Sequence, residues 1–218
     1  MRKILLLSTL SCFLFGLEFD LSFGNAYSFS SDIKIHSQSS NDESIKLTSR
    51  PNTRGFKSPQ YYSIRIRQSN KEFELIHHKL YFENNLPGNI DHFEFTDGYN
   101  LLLVNFLYPL SIYEYIDVFS LRFGLGTLVV HPDVTIDGIR YYKKGGGLIP
   151  TLWKSGYQIG GFSSQISFNY NKNLSKKFSL NSEFKVSYAI TDVDLETDYI
   201  INIPNTSLHF LMGISFGK

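Results

Sequence analysis

The run "FSLNSEFKVSYAI", Phe178 to Ile190, constrains this chain more than any other stretch. Phe178, Leu180, Phe184, Val186, Tyr188 and Ile190 share one parity, interrupted only by Ser182. Ser179, Asn181, Glu183, Lys185 and Ser187 share the other. A period of two is the side-chain repeat of a β-strand, so this segment is a strand with one apolar and one polar face. The same alternation returns in Leu208–Phe216, in Phe162–Tyr170 and in Phe119–Leu125. Weaker versions occupy Tyr27–His36, Gln60–Gln68, Glu72–Phe82 and His92–Leu107. Helical periodicity is nearly absent, so the pattern predicts an all-β protein of eight antiparallel strands.

The connections give an independent test. They fall at 37–59, 69–71, 83–91, 108–116, 131–156, 171–177 and 191–206, and apart from one tie long and short alternate. Short turns at one end and long loops at the other describe an up-and-down membrane barrel. In such a barrel the apolar faces meet lipid and the lumen holds polar side chains that satisfy one another. In a soluble lipid-carrying barrel the faces are exchanged. The polar faces here carry Arg122, Glu183 and Lys185, and the apolar faces draw on 19 Phe and 14 Tyr, as interfacial girdles require. The long segments 37–59, 131–156 and 191–206 are then expected outside the cell.

The chain opens "MRKILLLSTLSCFLFGLEFDLSFGNAYS". Arg2 and Lys3 precede an apolar run, and Gly24-Asn25-Ala26 offers small residues for a peptidase, so the expectation is a cleaved signal peptide over 1–26 and a barrel domain over 27–218. The rival is a lipoprotein signal ending at Cys12, the single cysteine; either way disulfide chemistry is not expected. A net charge of +1 suggests no nucleic-acid footprint. After the signal, no apolar stretch reaches the length of a transmembrane helix.

At the level of architecture the sequence resembles the small eight-stranded outer-membrane barrels, the OmpA/OmpX-like group. The resemblance rests on the eight alternating segments and on a final strand, Leu208–Phe216, that ends in an aromatic; Gly217 and Lys218 follow it where the pattern would stop. "HHKLYFEN", "TDGYN", "VVHP" and "IPNTSLH" are similar to segments of uncharacterised exported barrel proteins of proteobacteria. The resemblance implies residence in the outer membrane of a Gram-negative bacterium. It also implies contact with membrane lipids and lipopolysaccharide, delivery by the outer-membrane assembly machinery, and a monomeric state.

Chemistry-bearing residues are few. In "FELIHHKLYFEN" the apolar parity changes between Phe73/Leu75 and Leu80/Phe82. The change predicts a β-bulge near Ile76–His77 that turns His77 and Lys79 inward. Adjacent strand residues point to opposite faces, so His77 and His78 cannot act as a pair. A lumenal network of His77, Lys79, Glu94, Arg122, Glu183 and Lys185 is expected, with Glu72 and Glu74 pointing inward below it, as a satisfied polar core.

The functional alternative is an acid/base site drawn from His77, His78, Glu94, Asp97 and His131, with Ser163 or Ser164 as nucleophile, in an enzyme acting on lipid A acyl chains. A soluble periplasmic lipid-binding barrel is a second alternative. No His-x-Ser pairing or Gly-x-Ser-x-Gly elbow supports catalysis. The scattered histidines lack metal-ligand spacing, so neither metal nor cofactor is expected. Lys143 and Lys144 could meet lipopolysaccharide phosphates, but solvated loop charge is the better account of them.

Overall fold

The computed structural model describes residues 16–37, 44–83, 86–110, 119–141, 156–195 and 199–217. Eight long strands form the wall: β1 (Leu17–Ser28), β4 (Tyr62–Gln68), β5 (Lys71–His77), β8 (Tyr99–Pro109), β9 (Phe119–Val130), β12 (Gln158–Asn173), β13 (Phe178–Asp194) and β14 (Tyr199–Phe216). Each pairs antiparallel with its neighbour in that order, and β1 returns to pair with β14 from Phe19↔Phe216 to Ser28↔Ser207. Closure leaves the wall without a free edge.

The side chains sort as the alternation requires. On β14, Ser207, His209, Leu211 and Ser215 are buried inside, while Phe210, Met212, Ile214 and Phe216 stand exposed outside. Phe19, Phe23, Ile64, Ile66, Phe73, Val104, Phe106, Phe123, Leu125, Ile166, Phe168 and Phe184 complete an outward apolar belt. Leu208 to Phe216 reach about 26 Å along their strand at ~3.3 Å per residue, enough for a tilted strand to cross most of a hydrocarbon core. A soluble monomer does not expose an apolar surface that wraps its whole circumference. Aromatic rings gather at the belt's lower rim, where Phe19 and Phe178 flank Phe216 (ring centroids 6.5 and 6.3 Å) and Phe119 meets Tyr170 (5.2 Å). Tyr27 and Phe29 lie at the opposite rim, 5.5 Å apart.

The long connections are folded. A hairpin of β2 (Ser31–Ser37) and β3 (Ser44–Ser49) pairs with the upper end of β14. A second sheet runs β11 (Ile139–Tyr141), β10 (Asp133–Ile136), β7 (Ile90–Phe95), β6 (Leu80–Tyr81). Asn52 bridges Tyr27 on β1 and Tyr81 on β6, stitching the two sheets together. Their inner faces enclose Ile33, Ile35, Leu47, Leu80, Phe82, Phe93, Phe95, Val134, Ile136, Val193 and Ile201, all nearly inaccessible, with Phe82 stacked on Phe93 at 4.4 Å. This cap closes the barrel mouth with a conventional hydrophobic core.

Four expectations are corrected. The interval 191–206 is not a long loop, because β13 runs to Asp194 and β14 begins at Tyr199, the two paired in register as far as Asp194↔Ile200. The first wall strand is Leu17–Ser28 and not Tyr27–His36. The stretch 31–37 belongs to the cap, because "LEFDLSFGNAYS" has the stronger alternation: Phe19, Phe23 and Tyr27 outward, Asp20, Ser22 and Ser28 inward. The interval His92–Leu107 is two strands, broken at 96–98, where Gly98 adopts φ +148°. Its residues Phe93, Phe95, Tyr99, Leu101 and Leu103 face the interior and not lipid. Finally, β5 runs without a bulge and ends at His77. The wall's register shift lies on β12 between Gly160 and Ser163, where Gly161 has φ +73° and a Cβ would sit 2.2 Å from the Ile190 carbonyl oxygen.

The parity change at His77–Leu80 thus marks the rim. Below it apolar side chains turn out to lipid; above it they turn in to the cap core. Closure also depends on residues upstream of Tyr27. The mature N-terminus, read by mass spectrometry of the intact protein, is expected at or before Leu17. A mature chain beginning at Tyr27 would lack the seam between β14 and β4 and would contradict the fold.

Candidate functional site

Within the barrel the inward side chains make two layers. The lower is ionic. Glu74 on β5 accepts hydrogen bonds from Ser63 Oγ (2.6 Å), Arg65 Nε (2.9 Å), Asn105 Nδ2 (2.9 Å), Lys185 Nζ (2.6 Å) and Gln165. Arg122 donates to Glu183 Oε1 (2.7 Å) and Asn169 Oδ1 (2.6 Å), and its Nε lies 2.8 Å from Glu72. Arg65 also donates to Glu183, and Asp20 lies 3.8 Å from it. These residues come from seven strands and are buried. Desolvating so many charges is tolerable only because each is paired and hydrogen-bonded in several directions. The layer fills the lumen, as eight strands allow.

The upper layer is aromatic and neutral in character. His209 on β14 bonds the Tyr61 hydroxyl through Nδ1 and the Ser187 hydroxyl through Nε2, both at 2.6 Å. His78 lies 5.2 Å from His209 ring to ring, and its Nε2 is 3.2 Å from Thr53 Oγ1. Tyr99 closes the layer by donating to the Ile203 carbonyl at 2.9 Å. Ser187 beside His209 has the spacing of an activated nucleophile, which ordinarily reacts with a substrate at an accessible surface. Here Ser187, His209, His78 and Tyr61 are at most 2% exposed, sealed by the ionic layer below and the cap above.

The network expected from the sequence is therefore split. Arg122, Glu183 and Lys185 meet in the ionic layer. His77 is not lumenal: on the outward parity it stacks on Tyr62 at 5.0 Å and pairs with Asn100 Oδ1 at 2.7 Å. Lys79 points along the wall to the carbonyls of Arg54 (3.0 Å) and Lys57 (2.7 Å). Glu94 sits on the outer face of the cap, accepting from Thr96 at 3.1 Å.

Of the proposed acid/base residues, Asp97 and His131 meet at 3.8 Å on the cap, and Asp97 lies within electrostatic reach of His77. Ser163 donates to the Thr127 carbonyl at 3.1 Å. Lys143 and Lys144 lie outside the described residues. His92, Glu94 and Asp133 bring ligand atoms within 4.8 Å of one another, but the Arg140 guanidinium takes both Asp133 oxygens, its Nε at 2.8 Å, and opposes a cation there.

Sequence reasoning missed Asp20, Arg65, Tyr61, Ser187 and His209. Parity alone would have placed Arg65 inside, since Tyr62, Ile64 and Ile66 alternate with Ser63 and Arg65.

No protein-family model and no curated protein matches the chain. Among solved structures, it is similar to Neisserial surface protein A, at 11% identity and a TM-score of 0.42, over 92% of this chain and 96% of that one. It is also similar to Ail, the attachment invasion locus protein of Yersinia pestis, at 12% identity and a TM-score of 0.39, over 91% and 98% of the two chains. The fold is a closed eight-stranded barrel. Its architecture is the one expected from the OmpA/OmpX-like resemblance.

Breaking the ionic layer should be costly. Glu74→Ala removes the shared acceptor of Arg65 and Lys185 and is expected to lower unfolding free energy by about 3–5 kcal/mol, the range for orphaning a buried charge. Ser187→Ala, which removes a neutral hydroxyl, should cost only about 1 kcal/mol. Urea titration of the refolded protein in micelles, followed by the gel shift between folded and unfolded bands, measures both.

Proposed function

We propose that this chain is a non-enzymatic outer-membrane barrel whose working surface is the folded cap outside the cell. The observation that carries the reading is the inversion of the apolar face at the rim. A belt that faces outward over the barrel suits lipid, and a cap with its core inside and polar residues outside suits water. The ionic layer supports a plugged lumen over a pore. It also argues against a soluble lipid carrier, whose interior would have to be apolar. The burial of Ser187 and His209 supports a structural role for their contact, and the side-chain partners of His77 (Tyr62 and Asn100) and of Glu94 (Thr96) support the same reading of those groups. The exposed face of the β2–β3 hairpin, with Asp32, Lys34, Lys46 and Thr48, presents mixed charge suited to surface contact.

Recovery in the outer-membrane fraction with heat-modifiable migration is the expected outcome; extraction as a soluble periplasmic protein would overturn it. On intact cells, a maleimide too polar to cross the membrane should label Lys46→Cys in the cap and leave Lys176→Cys in the short turn after β12 unlabelled. Lipid A mass spectra of null and wild-type cells should coincide; an acyl change would restore the enzyme reading.

A further inference from the structure

Phe56 has the largest solvent exposure of any large apolar side chain among the described residues, 77%. It tips a turn that leaves the wall where β1 and β4 separate. Five hydrogen bonds build that turn. Lys57 N donates to the Arg54 carbonyl at 3.0 Å, and Tyr61 N to the Gly55 carbonyl at 2.7 Å. Gly55 N donates to Asn25 Oδ1 at 3.0 Å, and the Lys79 ammonium ties down the carbonyls of both Arg54 and Lys57. Gly55 lies so close to β1 that a Cβ would stand 2.3 Å from the Gly24 carbonyl oxygen. A rigid turn holding a phenylalanine away from the protein has no packing role of its own.

Its height is set by β1. Asn25, which anchors the turn, is one outward step above Phe23 of the belt and one below Tyr27 of the upper girdle. Phe56 therefore emerges where acyl chains give way to headgroups. Four cations stand against the tyrosines Tyr27 and Tyr81 beside this turn. The Arg54 guanidinium carbon lies 4.7 Å from the Tyr81 ring centre, Lys57 Nζ 5.4 Å and Lys79 Nζ 5.7 Å. Arg50 lies 5.3 Å from the Tyr27 ring centre and donates to its hydroxyl at 3.0 Å. Between Tyr27 and Tyr81, over the short side chain of Asn52, opens a cleft of about 80 Å³ that Arg50 and Glu83 also line. Glu83, paired with Arg54, is the carboxylate in contact with this group among the described residues. Burial, together with Lys57 and Arg54, pushes the Lys79 ammonium below its usual range, the mark of crowded positive charge that an anion would relieve.

We propose that Arg50, on the wall of this cleft, and Arg54 and Lys57, on the turn beside it, bind the phosphate of an outer-leaflet lipid headgroup, with Phe56 as the wedge that seats the turn in the acyl boundary. Tyr27 and Tyr81 hold the cations in place by ring contact, and Lys79 is a positioning residue that fixes the turn. Aromatic side chains at the interface with cations directed at phosphates are a stable arrangement for a membrane rim. The inference rests on the membrane placement proposed above.

The test uses full-length protein refolded in a zwitterionic detergent and native mass spectrometry with four probes: hexa-acylated lipid A, its dephosphorylated form, phosphatidylglycerol and phosphatidylcholine. Wild type should retain a phosphate-bearing anionic probe at least ~10-fold better than the dephosphorylated lipid A and phosphatidylcholine. Preference for lipid A or for phosphatidylglycerol identifies the source. Arg50→Gln with Lys57→Gln should abolish the preference, and Phe56→Ser should weaken retention of every probe alike. Lys34→Gln with Lys46→Gln, on the neighbouring hairpin, should change nothing. Equal retention of phosphorylated and dephosphorylated lipid A, or a double variant indistinguishable from wild type, would overturn the site. Heat-modifiable migration of each variant keeps this result separate from the membrane reading, which fails only if wild type itself does not fold as a barrel.

Discussion

Everything in this barrel hangs on the acceptors of Glu74. Five donors from four other strands converge on one carboxylate, so β5 is tied across the lumen to β4, β8, β12 and β13. An eight-stranded wall with its apolar side chains outside has no hydrophobic core to hold its interior together. Charge pairing and hydrogen bonding must do that, and they do so in a dry interior where an unpaired group costs far more than in water. The same closure that leaves no strand edge also leaves no room for a channel.

Above the rim the chemistry reverses. The cap is built as a soluble protein would be, with Phe82, Phe93, Phe95 and Val134 inside and Glu94, Asp133 and Arg140 outside. The histidine layer lies at the junction. His78 and His209 are polar enough to meet the ionic layer and aromatic enough to pack against Tyr61 and Tyr99. Neither a charged lumen nor an apolar cap could end against the other without such a boundary. The turn carrying Phe56 is the same boundary seen from outside, where apolar belt, tyrosine rings and cations succeed one another within a few residues.

Legibility followed the strength of the alternation. Phe178–Ile190, Leu208–Phe216 and Phe162–Tyr170 were readable because nothing interrupts their period, and the outward side chains there are those the pattern selects. The alternation of long and short connections was readable for the same reason, except at 191–206, where β13 runs on to Asp194 and β14 begins at Tyr199. His92–Leu107 misled, because a single parity continues from Phe93 through Tyr99 to Leu103 while its environment is cap core and not lipid. Parity reports which residues share a face; it does not report what that face meets. The doubled histidine failed similarly: a strand end at a rim and a bulge within a membrane both shift parity by one. β1 was hidden because its apolar, aromatic run continues that of residues 4–15 and reads as part of the same segment.

The sequence by itself determined the strand class, the strand count and the division of each strong strand into apolar and polar faces, since those depend only on a local period of two. Tertiary structure alone decided that the seam runs through Leu17–Ser28, that the long connections fold into a cap, and that His209, Tyr61 and Ser187 meet. These facts depend on register between strands far apart in the chain. Register is set by closure of the whole wall, which no local stretch encodes.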